Sequence, residues 1–237
     1  MDSRLDAEFI ASLAATGKAA GEKFPWYRGA IIGLGALNYP EEIPAFYLHV
    51  LEKYVPQPDH RHETTKMIEG LTKASGIVGA AKTGNATRAL SQVIPPHLRD
   101  GTCYRRNETF EQAAKRGDAL HTKIYGRNPE FDDSRTSNAA PDYYYIVRNL
   151  FYGYIFSFDE ILDDLETEHV IISALLGIDC QEQVKNHMIG MQLNGAQWEE
   201  VEAFRNVVLK LAERLGIKFK TAPIPVPRIP SGAESHV

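Results

Sequence analysis

Apolar residues recur every three or four positions along most of the chain, which is the spacing of one buried face on an α-helix. This spacing predicts helices over residues 3–22, 44–54, 63–75, 80–91, 107–125, 165–176, 179–193 and 198–215. The segment RGAIIGLGALNYP, residues 28–40, has no clear period and is assigned to a turn or to close helix packing. Because no segment shows the alternation of a half-buried β-strand, the chain is predicted to be all-α.

Four of these helices form two predicted hairpins of similar length, Glu63–Leu90 and Asp164–Met191. The first turns at Gly76 to Gly79 and the second at Gly177, since glycine is a common helix breaker. The hairpins align at an offset of 101 residues, the difference between Gly177 and Gly76. Identities are few, so two related halves are suggested by geometry alone.

Composition and charge exclude several partners and suggest a location. The net charge of -5, without a Lys/Arg cluster, argues against nucleic acid, and no apolar run approaches the roughly 18 residues of a membrane span. The chain's two cysteines, Cys103 and Cys180, fit a reducing compartment. The first residues do not read as a targeting signal, and the final tripeptide, residues 235–237, is not a convincing peroxisomal address. A cytoplasmic location is therefore expected.

The best candidates for chemistry lie on the second hairpin. Asp179 is a plausible N-cap, which would place Cys180 in the first turn of a helix, where the helix dipole favours a thiolate. Gln183 and His187 follow at helical spacing, so all three side chains are expected on one face. Glu168 on the preceding helix can approach that face. A carboxylate on one imidazole nitrogen would raise the basicity of the other and suit His187 to proton transfer.

Structural explanations stay open for these and other residues. A buried histidine is often a satisfied core residue, and a nearby cysteine is often an apolar filler. The segment 143–158 holds eight aromatic residues, too many for a solvent face; Tyr152 and Tyr154 are candidates for a pocket wall or for core. Three histidines near residue 60 invite a metal site but fit a solvated helix start, so no metal is expected; they are His49, His60 and His62.

The segment LETEHVIISALLGIDCQEQVKNHMIGMQLNGAQWEEVEAF, residues 165–204, resembles the core of the carboxymuconolactone decarboxylase and AhpD-like superfamily. Glu168, the spacing from Cys180 to His187 and the closing Asn-Gly-Ala pattern carry the resemblance. A second segment, IEGLTKASGIVGAAKTGNAT, is similar to that family's other helix pair. The resemblance implies one all-α domain over residues 1–220, with its core at about 40–215 and two related halves. A Pro-rich extended tail, residues 221–237, is expected to follow.

The family's redox branch uses Cys-x-x-Cys-x-x-x-His with an upstream glutamate that relays protons. By resemblance Cys180 takes the first cysteine position, but Gln183 stands at the second, and a disulfide cycle needs a resolving thiol. The decarboxylase branch lacks the cysteine pair, which is closer to this sequence. It implies His187 as general acid/base, Glu168 as its orienting partner, Gln183 as a substrate contact, and Cys180 as a pocket residue.

The function expected from this resemblance is a cofactor-independent decarboxylase that acts on a small organic acid or lactone and assembles into a homo-oligomer. Three alternatives stay open. They are a thiol-dependent antioxidant, an isomerase or cyclase of a biosynthetic pathway, and a binding protein in which Glu168 and His187 form a structural pair.

Overall fold

The computed structural model describes residues 3–229, and within them the chain is all-α, as predicted, with no β-strand. The helices are α1 Ala7–Gly17, α2 Trp26–Leu37, α3 Ile43–Tyr54, α4 His60–Ser91, α5 Phe110–Tyr125, α6 Ser134–Ala139, α7 Pro141–Ile146, α8 Asp164–Gly177, α9 Gln181–Leu193 and α10 Trp198–Arg214. A π-helical segment, Val147–Phe156, continues α7. No helix within 3–229 combines the length and hydropathy needed to cross a bilayer.

Helix α2 is the centre of the fold, and nearly all of its residues are buried. Its small residues allow close packing: a Cβ on Gly29 would lie 2.8 Å from His169 of α8, and one on Gly33 would lie 3.4 Å from Val208 of α10. The glycines of residues 28–40 therefore allow close helix packing, which was one of the two interpretations of this segment; the other was a turn. The helix itself was not predicted, because residues buried on every side leave no apolar-polar period.

Helix α4 is a hairpin that reverses at Gly79, where φ is 79° and ψ is 166°. A Cβ on Gly35 of α2 would lie 3.3 Å from Leu71 on the first arm and 3.2 Å from Ala86 on the second. In a straight helix residues 71 and 86 would be about 22 Å apart, so the chain folds back on itself. The predicted hairpin is confirmed. Its turn lies at Gly79, whose positive φ favours glycine.

Helix α5 crosses the π-helical segment at very short range. A Cβ on Gly117 would lie 2.5 Å from the backbone nitrogen of Gly153, so the two backbones are in contact. Thr109 caps α5 through a capping box with Gln112, so the helix begins three residues later than the predicted start at residue 107. The aromatic segment after α6 is only partly core: Tyr143 is 58% exposed, so the prediction that this segment avoids solvent is wrong there.

Helices α8 and α9 form the second hairpin, as predicted, but the turn differs in detail. Asp179 adopts a left-handed conformation with φ of 61°, and α9 begins at Gln181. Asp179 therefore does not cap the helix. Its carboxylate accepts hydrogen bonds from the Gln181 side chain and from the backbone N–H of Lys220. Cys180 precedes the first turn of α9, so the predicted placement of its thiol inside that turn is wrong.

The described part of the C-terminal tail, up to residue 229, is extended and lies against α9 and α10 of its own chain. Arg205 donates hydrogen bonds to the carbonyls of Pro223 and Ile224, and the Trp198 indole N–H donates to the carbonyl of Val226. Val226 is buried in the core. The tail thus covers one side of the second hairpin.

Candidate functional site

Glu168 and His187 meet across the second hairpin, in the geometry that the sequence suggested. The Nδ1 atom of His187 lies 2.9 Å from Oε2 of Glu168. Both residues are enclosed, with exposed fractions of 1% for Glu168 and 3% for His187. Packing of α8 on α9 sets this contact, because Glu168 lies in the second turn of α8 and His187 lies on the buried face of α9.

Two tyrosines extend this pair into a buried chain of hydrogen bonds. The Tyr125 hydroxyl, at the end of α5, lies 2.9 Å from Nε2 of His187. The Tyr152 hydroxyl, on the π-helical segment, lies 2.9 Å from the Tyr125 hydroxyl. Four side chains from four elements therefore form one line: Glu168, His187, Tyr125 and Tyr152. We refer to this line as the relay.

The protons of the relay can be assigned from its partners. An ionised carboxylate only accepts, so His187 donates from Nδ1 to Glu168 and its Nε2 accepts from the Tyr125 hydroxyl. Tyr125 in turn accepts from Tyr152. Burial raises the pKa of both tyrosines well above the ordinary value, which keeps both hydroxyls protonated.

Glu168 is the member of the relay that lines a pocket. The pocket has a volume of about 480 Å³, within the range of small-molecule sites, and His187 is not among its lining residues. While Oε2 of Glu168 contacts His187, its Oε1 is buried and has no hydrogen-bond partner among residues 3–229. Glu168, rather than the expected His187, is therefore the relay residue at the pocket.

The rest of the pocket combines an apolar wall with charged groups. The wall is formed by Leu120, Ile124 and Leu165. Lys23 lies 3.0 Å from Asp163, and Lys123 pairs with Asp164. Asp159 also lines the pocket but has no ion-pair partner within the described part of the chain.

The structure brings Tyr152 to His187 through Tyr125, but leaves three predicted site residues outside the relay. Cys180 is half-buried against the core and makes no hydrogen bond to His187 or Glu168. Gln183 is exposed in the first turn of α9, because the buried face of that helix begins at the next residue. Tyr154 is half-buried and packs near Phe110, at 6.3 Å between ring centres. The expected roles of Cys180, Gln183 and Tyr154 at the site therefore lack geometric support.

Sequence reasoning missed Tyr125 and its neighbour His121. The His121 ring centre lies 4.7 Å from that of Tyr125, and its Nδ1 lies 2.6 Å from Nη1 of Arg148. A guanidinium only donates, so Nδ1 accepts and His121 is neutral; burial lowers the pKa of His121 to about 4. Their positions could have indicated them, because His121 and Tyr125 lie one turn apart beside the apolar stripe of α5.

The histidines considered for a metal site have other surroundings. Nε2 of His60 lies 3.0 Å from the carbonyl oxygen of Val55, at the start of α4. Among residues 3–229 no three side chains of His, Cys, Asp or Glu are grouped so as to hold a metal ion.

Two curated proteins are similar to this chain. Peroxisomal protein 2 of Schizosaccharomyces pombe is 29% identical over 194 residues, which cover 82% of this chain and 88% of that protein. Peroxisomal protein 2 of Saccharomyces cerevisiae is 28% identical over 144 residues, which cover 61% of this chain and 49% of that protein. No protein-family model matches the chain. No solved structure matches it.

The names of these relatives overturn one expectation from the sequence. Both are peroxisomal proteins by name, so the expected cytoplasmic location is contradicted. That expectation rested in part on the final tripeptide, which was not considered a convincing peroxisomal address. Residues 235–237 lie outside the described part of the chain. An acidic chain with two cysteines fits any reducing compartment, which is why composition alone did not separate these locations.

Proposed function

We propose that this chain is a cofactor-independent enzyme of the carboxymuconolactone decarboxylase and AhpD-like superfamily. It transfers a proton to or from a small organic molecule held against Glu168. The observation that carries the proposal is the relay, which is buried along its length and ends at Glu168, a lining residue of a pocket of about 480 Å³. Such a dry, pre-oriented carboxylate is suited to general acid/base catalysis.

In this proposal Glu168 is the catalytic residue, because it is the relay member that touches the pocket. Its carboxylate accepts a proton from the substrate and returns it to another atom. His187 is a positioning residue, since its Nδ1–H fixes the carboxylate and Tyr125 fixes the imidazole tautomer. The family resemblance implied the opposite roles, with His187 as the general acid/base and Glu168 as its orienting partner.

Two reactions fit this chemistry. Decarboxylation of a small lactone or keto acid is the reaction implied by the family: Glu168 takes the proton of the substrate's carboxyl group and returns it to the carbanion that remains after carbon dioxide leaves. Isomerisation or cyclisation uses the same carboxylate to remove and return a proton. The pocket's charge favours the second reaction, because four carboxylates and two lysines line it, and this excess of negative charge opposes entry of an anionic acid.

The superfamily assignment itself is supported by the arrangement of the two hairpins. One turns at Gly79 and the other at Asp179, both with positive φ, and α2 packs against both. We propose that the hairpins are related halves and that only the second carries the relay. The thiol-dependent antioxidant is not favoured, because Cys180 lies outside the relay and Cys103 lines a different pocket.

We also propose a peroxisomal location, supported by the names of the two relatives. Fluorescence microscopy of the tagged full chain, with a peroxisomal marker, tests it; diffuse cytoplasmic signal would reject it.

A homo-oligomer is proposed because apolar side chains around Tyr145, which is 55% exposed, form an open surface. Light scattering after gel filtration should give a multiple of 26.5 kDa, and a monomer mass would reject this part.

The catalytic proposal is tested by screening small lactones, keto acids and neutral cyclic ketones in D₂O. NMR detects both carbon dioxide loss and deuterium incorporation. For a substrate so found, Glu168→Gln should lower the rate by about 10²–10⁴-fold, the usual range for general acid/base catalysis. Tyr125→Phe should lower the rate less, because it removes a positioning contact. Gln183→Ala, on the exposed side of α9, is the matched control and should retain full activity.

Unchanged turnover in Glu168→Gln would reject the catalytic assignment. Ligand-induced thermal stabilisation without any conversion or deuterium exchange would instead support the non-catalytic binding protein.

A further inference from the structure

Cationic side chains bind the C-terminal end of the π-helical segment. The backbone carbonyls of residues 154–158 all accept hydrogen bonds from them: Arg105 donates to the first two, Lys73 to the third and fifth, and Arg116 to the fourth. The end of a helix where carbonyls are free carries partial negative charge, so cations are favourable there. The end of the segment that carries Tyr152 is thereby fixed in place.

Lys73 also reaches α8. Its side chain, on the first arm of α4, is fully buried. The Nζ atom lies 2.5 Å from the carbonyl oxygen of Phe156, 2.6 Å from that of Phe158 and 2.7 Å from Oγ1 of Thr167. All three partners are neutral, so these contacts fix positions rather than cancel a charge. We refer to Lys73 and its three partners as the clamp.

The clamp adjoins both ends of the relay. Thr167 directly precedes Glu168 on α8, at the end that lines the pocket. At the other end, Ser157 lies between the two clamped carbonyls, and its backbone N–H donates to the carbonyl of Tyr152 at 3.0 Å. Lys73 therefore ties together α8 and the π-helical segment, the two elements that carry the first and last members of the relay.

The clamp is complete in either charge state of Lys73. Burial lowers the pKa of Lys73 to about 7, so both charge states are populated near neutral pH. An ammonium group donates three hydrogen bonds, one to each partner. A neutral amine donates two, and its lone pair accepts from the Thr167 hydroxyl, which can be donor or acceptor. The contacts of the clamp are therefore retained across neutral pH.

We propose that Lys73 is a positioning residue for proton transfer at Glu168, because it sets the separation of α8 and the π-helical segment at which the relay forms. Without Lys73, the buried carbonyls of Phe156 and Phe158 need other donors, which shifts the end of the segment. The hydrogen bonds of His187 then lengthen and no longer fix its tautomer. This inference deepens the proposed function, on which it rests, by adding a residue outside the pocket.

Nitrogen NMR of His187 tests the clamp without any substrate. The full chain is labelled with ¹⁵N-histidine, and loss of signals in His187→Gln identifies those of His187. In the wild type, a fixed Nδ1–H tautomer should give two widely separated ring-nitrogen shifts. Lys73→Met substitutes an unbranched apolar side chain of similar size, and it should move the two shifts toward each other as the second tautomer becomes populated.

Two further variants make the test specific. Lys82→Met is the matched control, because Lys82 also lies on α4 and donates to a backbone carbonyl, that of Ala36 on α2, which carries no relay residue. It should leave the His187 shifts unchanged. Thr167→Val removes one partner of the clamp and keeps the shape of the side chain, so it should move the shifts in the same direction by a smaller amount. Circular dichroism checks that each variant is folded.

Unchanged His187 shifts in folded Lys73→Met would overturn the proposal, and so would an equal change in Lys82→Met. If Lys73→Met does not fold, Thr167→Val decides in the same way. For a substrate found by the screen, Lys73→Met should also lower turnover by about ten- to hundredfold, the cost of a misplaced catalytic group. Altered shifts with full turnover would reject the positioning role, whereas altered shifts without turnover of any compound would support the clamp and reject the proposed catalysis.

Discussion

The neutral state of His121 makes the protein sensitive to mild acid, and the size of the effect follows from the structure. Burial lowers the pKa of His121 to about 4 from its ordinary value of 6.5, and Arg148 donates to its Nδ1. The unfolded chain therefore binds a proton between these pH values that the folded chain does not bind. Stability is unaffected by this group above pH 6.5 and falls as the pH decreases toward 4, by about 2 kcal/mol at pH 5.

His121→Asn isolates this contribution, because an asparagine oxygen can still accept from Arg148 but does not titrate. Unfolding free energies are measured in urea at pH 7.5 and pH 5.0 for both proteins. The wild type should lose about 2 kcal/mol more than the variant between these conditions. His169, whose pKa burial lowers to about 3, is present in both proteins, so its acid sensitivity cancels in the comparison. Parallel losses in the two proteins would refute a neutral, buried His121.

Two further predictions concern the packing around α2. Gly177→Ala should lower the free energy of unfolding, measured in urea, by about 1–3 kcal/mol, because the new Cβ would lie 2.4 Å from the Cβ of Ala36. Gly84→Ala is the control and should not destabilise the fold, because a Cβ there meets nothing within 4 Å. Arg28→Met should cost about 3–5 kcal/mol, because it strands the buried carboxylate of Glu63, which Arg28 binds at 2.6 and 2.8 Å. A loss below 1 kcal/mol in Arg28→Met would contradict a tightly coupled buried pair.

Much of the fold could be predicted because most helices have one buried and one exposed face. The helices over 44–54 and 198–215 follow from this period, whereas the end of α8 was predicted from Gly177, since α8 is buried from Glu166 to Leu176. The period fails where neighbours surround an element: α2 is apolar on every face, so its helix gives no periodic signal. The π-helical segment is also invisible to it, because its hydrogen bonds do not follow the 3.6-residue period.

The site could be predicted only where its residues are close in sequence. Glu168 and His187 belong to one hairpin, so their spacing placed them together. Tyr125 lies 62 positions before His187 and meets it only through tertiary packing of α5 on α9. Cys180 was misplaced for a local reason: the left-handed Asp179 turns the chain before the helix begins, which no propensity for capping reveals.

The relay distances depend on glycines that carry no chemistry. A Cβ on Gly190 of α9 would lie 2.6 Å from the carbonyl oxygen of Ile124, the residue before Tyr125. Gly117, two turns before Ile124 on α5, touches the backbone at Gly153, the residue after Tyr152. The hydrogen bonds of Tyr125 to His187 and Tyr152 therefore each lie near a close backbone contact, at Gly190 and Gly117, that leaves no room for a side chain. Since a hydrogen bond weakens steeply beyond about 3.2 Å, backbone approach at these glycines is a condition for the relay, and close packing here serves the site as much as stability.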